Sequence, residues 1–177
     1  MLKIKLLGAV ALIALTACSG EETQNNETTT TTETTTTEAT PTEAPKEDAT
    51  VTSGNALVIE ANMLNYSADE LTVTTGEEIT LTFNNVGTVA KDVMGHNVAI
   101  LEAGVDVNEF IKAANAAGIE KNFLHDGAKV IAATKILGPG ESDTVTFTAP
   151  APGTYDFLCT FPGHSSSMKG KLIVKAS

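Results

Sequence analysis

Cys159-Thr160-Phe161-Pro162-Gly163-His164-Ser165-Ser166-Ser167-Met168-Lys169-Gly170 places a thiol, an imidazole and a thioether within ten residues. The stretch continues the alternating run Tyr155/Phe157/Cys159, so the cysteine stands at the end of a predicted strand and the remainder forms a Pro-Gly loop. Four residues separate Cys159 from His164, enough for the chain to turn back and aim both donors at one ion. Three more lead to Met168, which brings in sulfur from another side. Soft thiolate and thioether donors select copper(I), whereas imidazole also suits copper(II), so a mixed set can hold both oxidation states. A fourth donor must come from elsewhere. His96, in Met94-Gly95-His96-Asn97, lies far away in sequence at an expected strand start, as a preformed scaffold would supply it.

Each residue alone has a plainer reading. A cysteine at a strand end is commonly a small buried hydrophobe, a methionine is commonly core filler, and a histidine beside glycine is commonly a loop residue. Their conjunction at this spacing points to a metal. His125, in the polar loop Phe123-Leu124-His125-Asp126-Gly127, has no second donor nearby and is assigned to the loop.

Outward from this loop, residues 51–177 suffice for one hydrophobic core and not for two. Period-two alternation marks strands at Leu57/Ile59, Leu71/Val73, Ile79/Leu81/Phe83, Val145/Phe147, Tyr155/Phe157/Cys159 and Leu172/Val174. The apolar run Val130-Ile131-Ala132-Ala133 reads as a strand buried on both faces or as a short helix. Turn signals separate them at Thr75-Gly76-Glu77, Asn85-Val86-Gly87, Gly138-Pro139-Gly140 and Ala151-Pro152-Gly153. Short strands at this spacing predict a two-sheet sandwich. Between residues 107 and 118 the period changes: Val107, Phe110, Ile111 and Ala114 share one helical face and Gly118 stops it, so one helix is expected across the outside of the sandwich.

Cys159 to Gly170 resembles the copper loop of the azurins, and Val93-Met94-Gly95-His96-Asn97 resembles their upstream ligand strand. The likeness continues through Val130 to Lys135, through Gly138-Pro139-Gly140-Glu141-Ser142-Asp143 into Val145-Thr146-Phe147, and along the last strand, spanning residues 55–175. Azurins are type 1 (blue) copper proteins. The resemblance therefore implies an all-β, cupredoxin-like Greek-key sandwich with one inserted helix and one type 1 copper per chain. It implies His96, Cys159 and His164 as strong equatorial ligands, Met168 as a long axial one and the Gly95 carbonyl as a weak opposite contact. It also implies that Asn97 ties the ligand strand to Thr160 and that the Phe161 N–H donates to the Cys159 sulfur, bonds that orient ligands and tune the metal. The His164 edge would reach the surface in an apolar docking patch containing Met94 and Val89, beside Pro162 and Gly163.

This chain departs from the azurin pattern in three places. No disulfide is possible in the domain, because Cys159 is its only cysteine. There is no tryptophan, and Val98 stands where azurins often bury one. Asn85 stands where many azurins have a non-ligand histidine, so proton coupling through that position is not expected.

The N-terminal third reads as an address and a spacer. Lys3 and Lys5, the ten-residue apolar run Leu6–Leu15 and Thr16-Ala17-Cys18 have the layout of a secretory signal over residues 1–17. Leu15-Thr16-Ala17-Cys18 resembles the lipobox of bacterial lipoproteins, which implies acylation of Cys18; several acyl chains anchor where one binds only marginally. Ser19 after the cysteine points to the outer membrane. Residues 19–50 contain 13 threonines and eight acidic residues without one aromatic or large aliphatic side chain, a composition expected to stay disordered. Fully stretched, such a linker reaches about 110 Å.

The net charge of −11 and the absence of arginine argue against a nucleic-acid partner. No apolar run reaches the roughly 20 residues of a membrane-spanning helix. The reading is a monomeric, membrane-tethered blue copper protein in the periplasm or at the cell surface. It would shuttle single electrons between redox proteins such as cytochromes or copper oxidoreductases, and it would not be an enzyme. The competing reading is a lipoprotein that sequesters or delivers copper. A copper enzyme would need more histidines than the three present or an open ligand position.

Overall fold

The computed structural model describes residues 51–177. The expected signal segment, Cys18 and the linker lie outside the described residues.

Ten strands form two sheets: β1 (Val51–Ser53), β2 (Ala56–Asn62), β3 (Asn65–Tyr66), β4 (Glu70–Thr74), β5 (Glu78–Asn85), β6 (Ala99–Leu101), β7 (Val130–Ala133), β8 (Ser142–Thr148), β9 (Gly153–Leu158) and β10 (Lys169–Lys175). One sheet has the order β1-β4-β10-β9-β6-β7 and the other β3-β2-β5-β8. Pairing is mixed. β2 runs parallel to β5 and β4 parallel to β10, while β9 meets both β10 and β6 antiparallel.

The period-two pattern has a direct physical outcome, because successive side chains of a strand point to opposite faces. Leu57, Ile59 and Ala61 of β2 and Ile79, Leu81 and Phe83 of β5 alternate with exposed or half-exposed neighbours. They meet Leu71, Val73, Phe157, Leu172 and Val174 of the other sheet in one buried cluster. Each large side chain so buried contributes about 1.5–3 kcal/mol. Every strand expected from alternation is present.

β6 is buried at all three positions because both faces of the sheet are covered there. Ile100 joins the main core, whereas Leu101 joins Phe110 and Leu158 in a second cluster beneath the helix α2 (Val107–Ala117). The Asp106 carboxylate caps that helix by accepting the Asn108 and Glu109 N–H groups at 2.9 and 3.0 Å, an arrangement worth about 1 kcal/mol. Gly118, at φ 77°, ends it.

Three expectations need correction. β7 is half-buried at every position, not buried on both faces, because it is the edge strand beside β6. The segment before His96 is not extended: Lys91–Met94 form a short helical turn, α1, so the inserted helix is not the only one. His96 does not begin a strand but makes an isolated bridge to Leu137. No helix among the described residues is long and apolar enough to cross a membrane.

Gly170, opposite Phe157 in the β9–β10 ladder, has no room for a side chain: a Cβ there would collide with the Phe157 ring and the Asp69 carbonyl. Gly170→Ala should therefore lose about 1–3 kcal/mol of stability, read as a lower denaturant midpoint at unchanged slope.

Candidate metal centre

Ala99 faces Leu158 and Ile100 faces Phe157 across the β6–β9 ladder. That register brings the residues just before β6 alongside those just after β9, which is how His96 and Cys159 come together. One donor atom from each of His96, Cys159 and His164 falls within 4.8 Å of the others, and all three residues are buried. Cys159 Sγ lies 3.6 Å from His164 Nδ1, and the two imidazole centroids are 4.9 Å apart. Met168 is fully buried and returns the chain to Cys159, whose N–H donates to the Met168 carbonyl at 3.0 Å. The four residues form an arrangement like a type 1 copper site.

Each donor is held from outside the cluster. His96 exchanges backbone bonds with Leu137, N–H to carbonyl at 3.1 Å and carbonyl to N–H at 2.7 Å. Asn85 braces the same point, its Nδ2 donating to the Leu137 carbonyl at 3.0 Å and its Oδ1 accepting the Gly87 N–H at 2.9 Å. The position that differs from many azurins is thus a structural bracket. Gly95 precedes His96 because a Cβ there would lie 2.5 Å from both Ile136 Cγ2 and the Lys91 carbonyl. Asn97 Oδ1 accepts two bonds from Thr160, from N–H at 2.9 Å and from the hydroxyl at 3.1 Å, stapling the two ligand segments together. In the loop, Gly163 takes φ 83°, His164 N–H donates to the Phe161 carbonyl at 3.1 Å and Met168 N–H to the His164 carbonyl at 2.8 Å. The backbone N–H groups of Asn97 and Phe161 both donate to the Cys159 sulfur.

Burial sets the protonation of the free donors. It pushes the Cys159 thiol up from 9.0 to about 11, against the opposing pull of the Asn97 and Phe161 N–H groups and the Tyr66 hydroxyl. Burial lowers His96 from 6.5 to about 4, with repulsion from His164 adding to it, and burial also lowers His164. Both imidazoles are therefore neutral at pH 7 and ready to bind, while the thiol still holds its proton. His96 Nδ1 is buried without a hydrogen-bond partner among the described residues, a state that costs about 1–3 kcal/mol and that a bound cation relieves. Donor set, burial and the unpartnered nitrogen all fit copper.

The residues expected around the donors fall into two groups. Val89 and Met94 line a shallow depression with Met63, Gly87 and His96. Pro162 and Gly163 are exposed on the ligand loop, and His164 keeps 5% of its surface accessible. His125 stays outside the cluster, its ring against Phe110 at 5.9 Å. Sequence reasoning missed Met63, Tyr66, Asn122 and Phe123. The supposed polar loop carries Phe123 into the core, where it meets the Phe161 ring at 5.3 Å, and Phe161 in turn lies 4.6 Å from the His164 ring. Asn122 supports this with Oδ1 accepting the Ile136 N–H at 2.9 Å. A signal existed only for Tyr66, one of just two tyrosines in the chain.

Only the thiol must deprotonate for a metal to bind at neutral pH. Titration of the metal-free protein with copper(II) in weakly buffered solution at pH 7 should release about one proton per ion, with apparent affinity rising about tenfold per pH unit. Release of about two or three would mean that the histidines start protonated.

The profile of the copper-binding proteins of the plastocyanin/azurin family matches residues 53–175. Azurin of Pseudomonas denitrificans is 40% identical over 119 residues, which cover 64% of this chain and 92% of that protein. Azurin of Pseudomonas chlororaphis is 37% identical over 123 residues, 67% of this chain and 95% of that one. Among solved structures, dithionite-reduced auracyanin from the photosynthetic bacterium Roseiflexus castenholzii superposes with a TM-score of 0.63 at 44% identity, covering 70% of this chain and 98% of that chain. Auracyanin A, a blue copper protein from Chloroflexus aurantiacus, gives 0.60 at 35% identity, covering 68% and 99%. Sheet order, donor cluster and sequence agree: the chain belongs to the plastocyanin/azurin family of copper-binding proteins.

Proposed function

We propose that this cupredoxin, a copper protein of electron transfer, works as a lipid-anchored shuttle outside the cytoplasm, with His96, Cys159, His164 and Met168 as its ligands and the Gly95 carbonyl as a weak contact. The observation that carries the reading is the assembly of three buried donors within 4.8 Å of one another, each fixed by bonds to the surrounding frame. Copper, when bound, supplies a one-electron couple between its two common oxidation states. The chain's part is to keep the donors still. His96 is clamped to Leu137, Asn97 is stapled to Thr160, and the loop bonds hold His164 against Phe161. A cage that cannot move has little to rearrange when charge changes, which favours rapid exchange over storage. With buried Met168 beside the three clustered donors, the proposed donor set comes wholly from the chain, whereas catalytic metal sites keep a position open for substrate.

The docking face is the depression lined by Met63, Val89 and Met94 beside His96, continued by Pro162 and Gly163 on the ligand loop. Partners of this face are redox proteins such as cytochromes or copper oxidoreductases, with the acidic remainder of the surface steering basic ones. Anchoring rests on the sequence: an acylated Cys18 and the Thr/Glu-rich linker before residue 51 would let the domain reach partners while held at the membrane.

Copper(II) added to the purified protein should give an intense blue thiolate-to-copper band and rapid electron exchange. A pale product without exchange would support sequestration instead. Cys159→Ser should fold and lose the colour entirely; a blue Cys159→Ser protein would refute the ligand assignment. On cell fractionation, the wild-type chain should sediment with membranes and Cys18→Ala should move to the soluble fraction. Equal distribution of the two would remove the anchor.

A further inference from the structure

Tyr66 has no part in the ligand set, yet three elements converge on it. It sits in the two-residue strand β3, pairing with Ala61 at the end of β2. Its ring packs edge-on against Phe83 at 6.1 Å and tilted against Phe157 at 5.7 Å, two fully buried rings from opposite sheets. This wedge fixes the ring, and so fixes where the hydroxyl points. The hydroxyl donates to the Asn97 carbonyl. Burial holds the phenol well above its ordinary value, so the oxygen keeps its proton as a donor.

Asn97 is thereby gripped on every polar side but one. Its N–H goes to the sulfur, its carbonyl takes the Tyr66 hydroxyl, and its Oδ1 takes both Thr160 donors. Three of these bonds tie together the segments that hold His96 and Cys159. The fourth, from Tyr66, anchors the staple to the core of the sandwich. We propose that Tyr66 is a positioning residue of the metal centre, whose hydroxyl holds the Asn97 carbonyl and thereby keeps the Asn97 N–H aimed at the Cys159 sulfur, setting how much negative charge that sulfur offers a bound copper ion. The inference rests on the copper reading given above.

The physical consequence has a sign. Donors on a metal-bound thiolate draw charge away from the metal, which favours the reduced ion, and hydrogen bonding around such a sulfur is one of the recognised controls of potential. Loosening the Asn97 N–H donor, which the Tyr66 hydroxyl holds in place through the Asn97 carbonyl, returns charge to the metal and favours the oxidised ion.

The test is Tyr66→Phe, which keeps the ring and removes one oxygen, beside Tyr155→Phe as a control. Tyr155 also donates a buried-edge hydroxyl bond, to the Ala151 carbonyl at 2.7 Å, but takes no part in the donor cluster. Tyr66→Phe should bind copper stoichiometrically and stay blue, with a lower reduction potential and a displaced thiolate-to-copper band; Tyr155→Phe should match wild type in both. In the metal-free protein, the Thr160 amide of Tyr66→Phe should exchange with solvent roughly 2- to 10-fold faster, the worth of one hydrogen bond. If Tyr66→Phe loses only stability, with band, potential and Thr160 exchange at wild-type values, the tyrosine is core filler and the proposal is overturned. A wild-type protein that binds copper without turning blue would instead overturn the reading on which the proposal stands.

Discussion

The metal centre depends on one register, Ala99 against Leu158 in the β6–β9 ladder. A strand's side chains alternate faces, so a slip of one residue would turn Ile100 out of the core and Leu101 into it. The same slip would carry His96 away from Cys159. Two hydrophobic clusters, one on each face of the sheet, forbid it: Ile100 is locked in the sandwich and Leu101 beneath α2 with Phe110. The apolar packing of a helix that touches no ligand therefore helps to place the ligands.

Placement in a buried pocket then decides the chemistry of the free donors. Burial favours neutral forms, holding both histidines below their usual range and the thiol above its own. The pocket is thus a set of neutral donors with one proton to lose. Backbone N–H groups from Asn97 and Phe161 partly oppose this at the sulfur, since they stabilise the thiolate that burial disfavours. The protein combines a site that excludes water with donors that accept charge only where it will be needed.

Rigidity comes from a chain of short-range holds, not from any covalent brace, for Cys159 is free. Asn85 and His96 share the Leu137 carbonyl, Asn97 binds Thr160, Asn122 binds Ile136, and the Phe123 ring meets Phe161 edge-on, which in turn lies tilted against His164. Asn85, His96, Asn97, Thr160 and His164 among them are polar and buried, where a partnered group stabilises and an unpartnered one is costly. His96 Nδ1 and Asn97 Nδ2 are the exceptions, left without a partner among the described residues.

Alternation alone determined the strands from Leu57 to Val174, because a half-buried strand writes its two faces directly into the order of residues. The spacing of Cys159, His164 and Met168 likewise disclosed a metal loop, since the loop is local and its donors are chemically distinctive. Sequence could not decide that β7 is an edge or that Lys91–Met94 wind into a turn, for both follow from what lies beside them. Nor could it reveal that Tyr66, Phe123 and Asn122 support the site, because their roles exist only through contacts made across sheets and loops. The polymer's order fixed which donors are available and which faces are apolar; tertiary packing alone decided how far apart those donors stand and what holds them there.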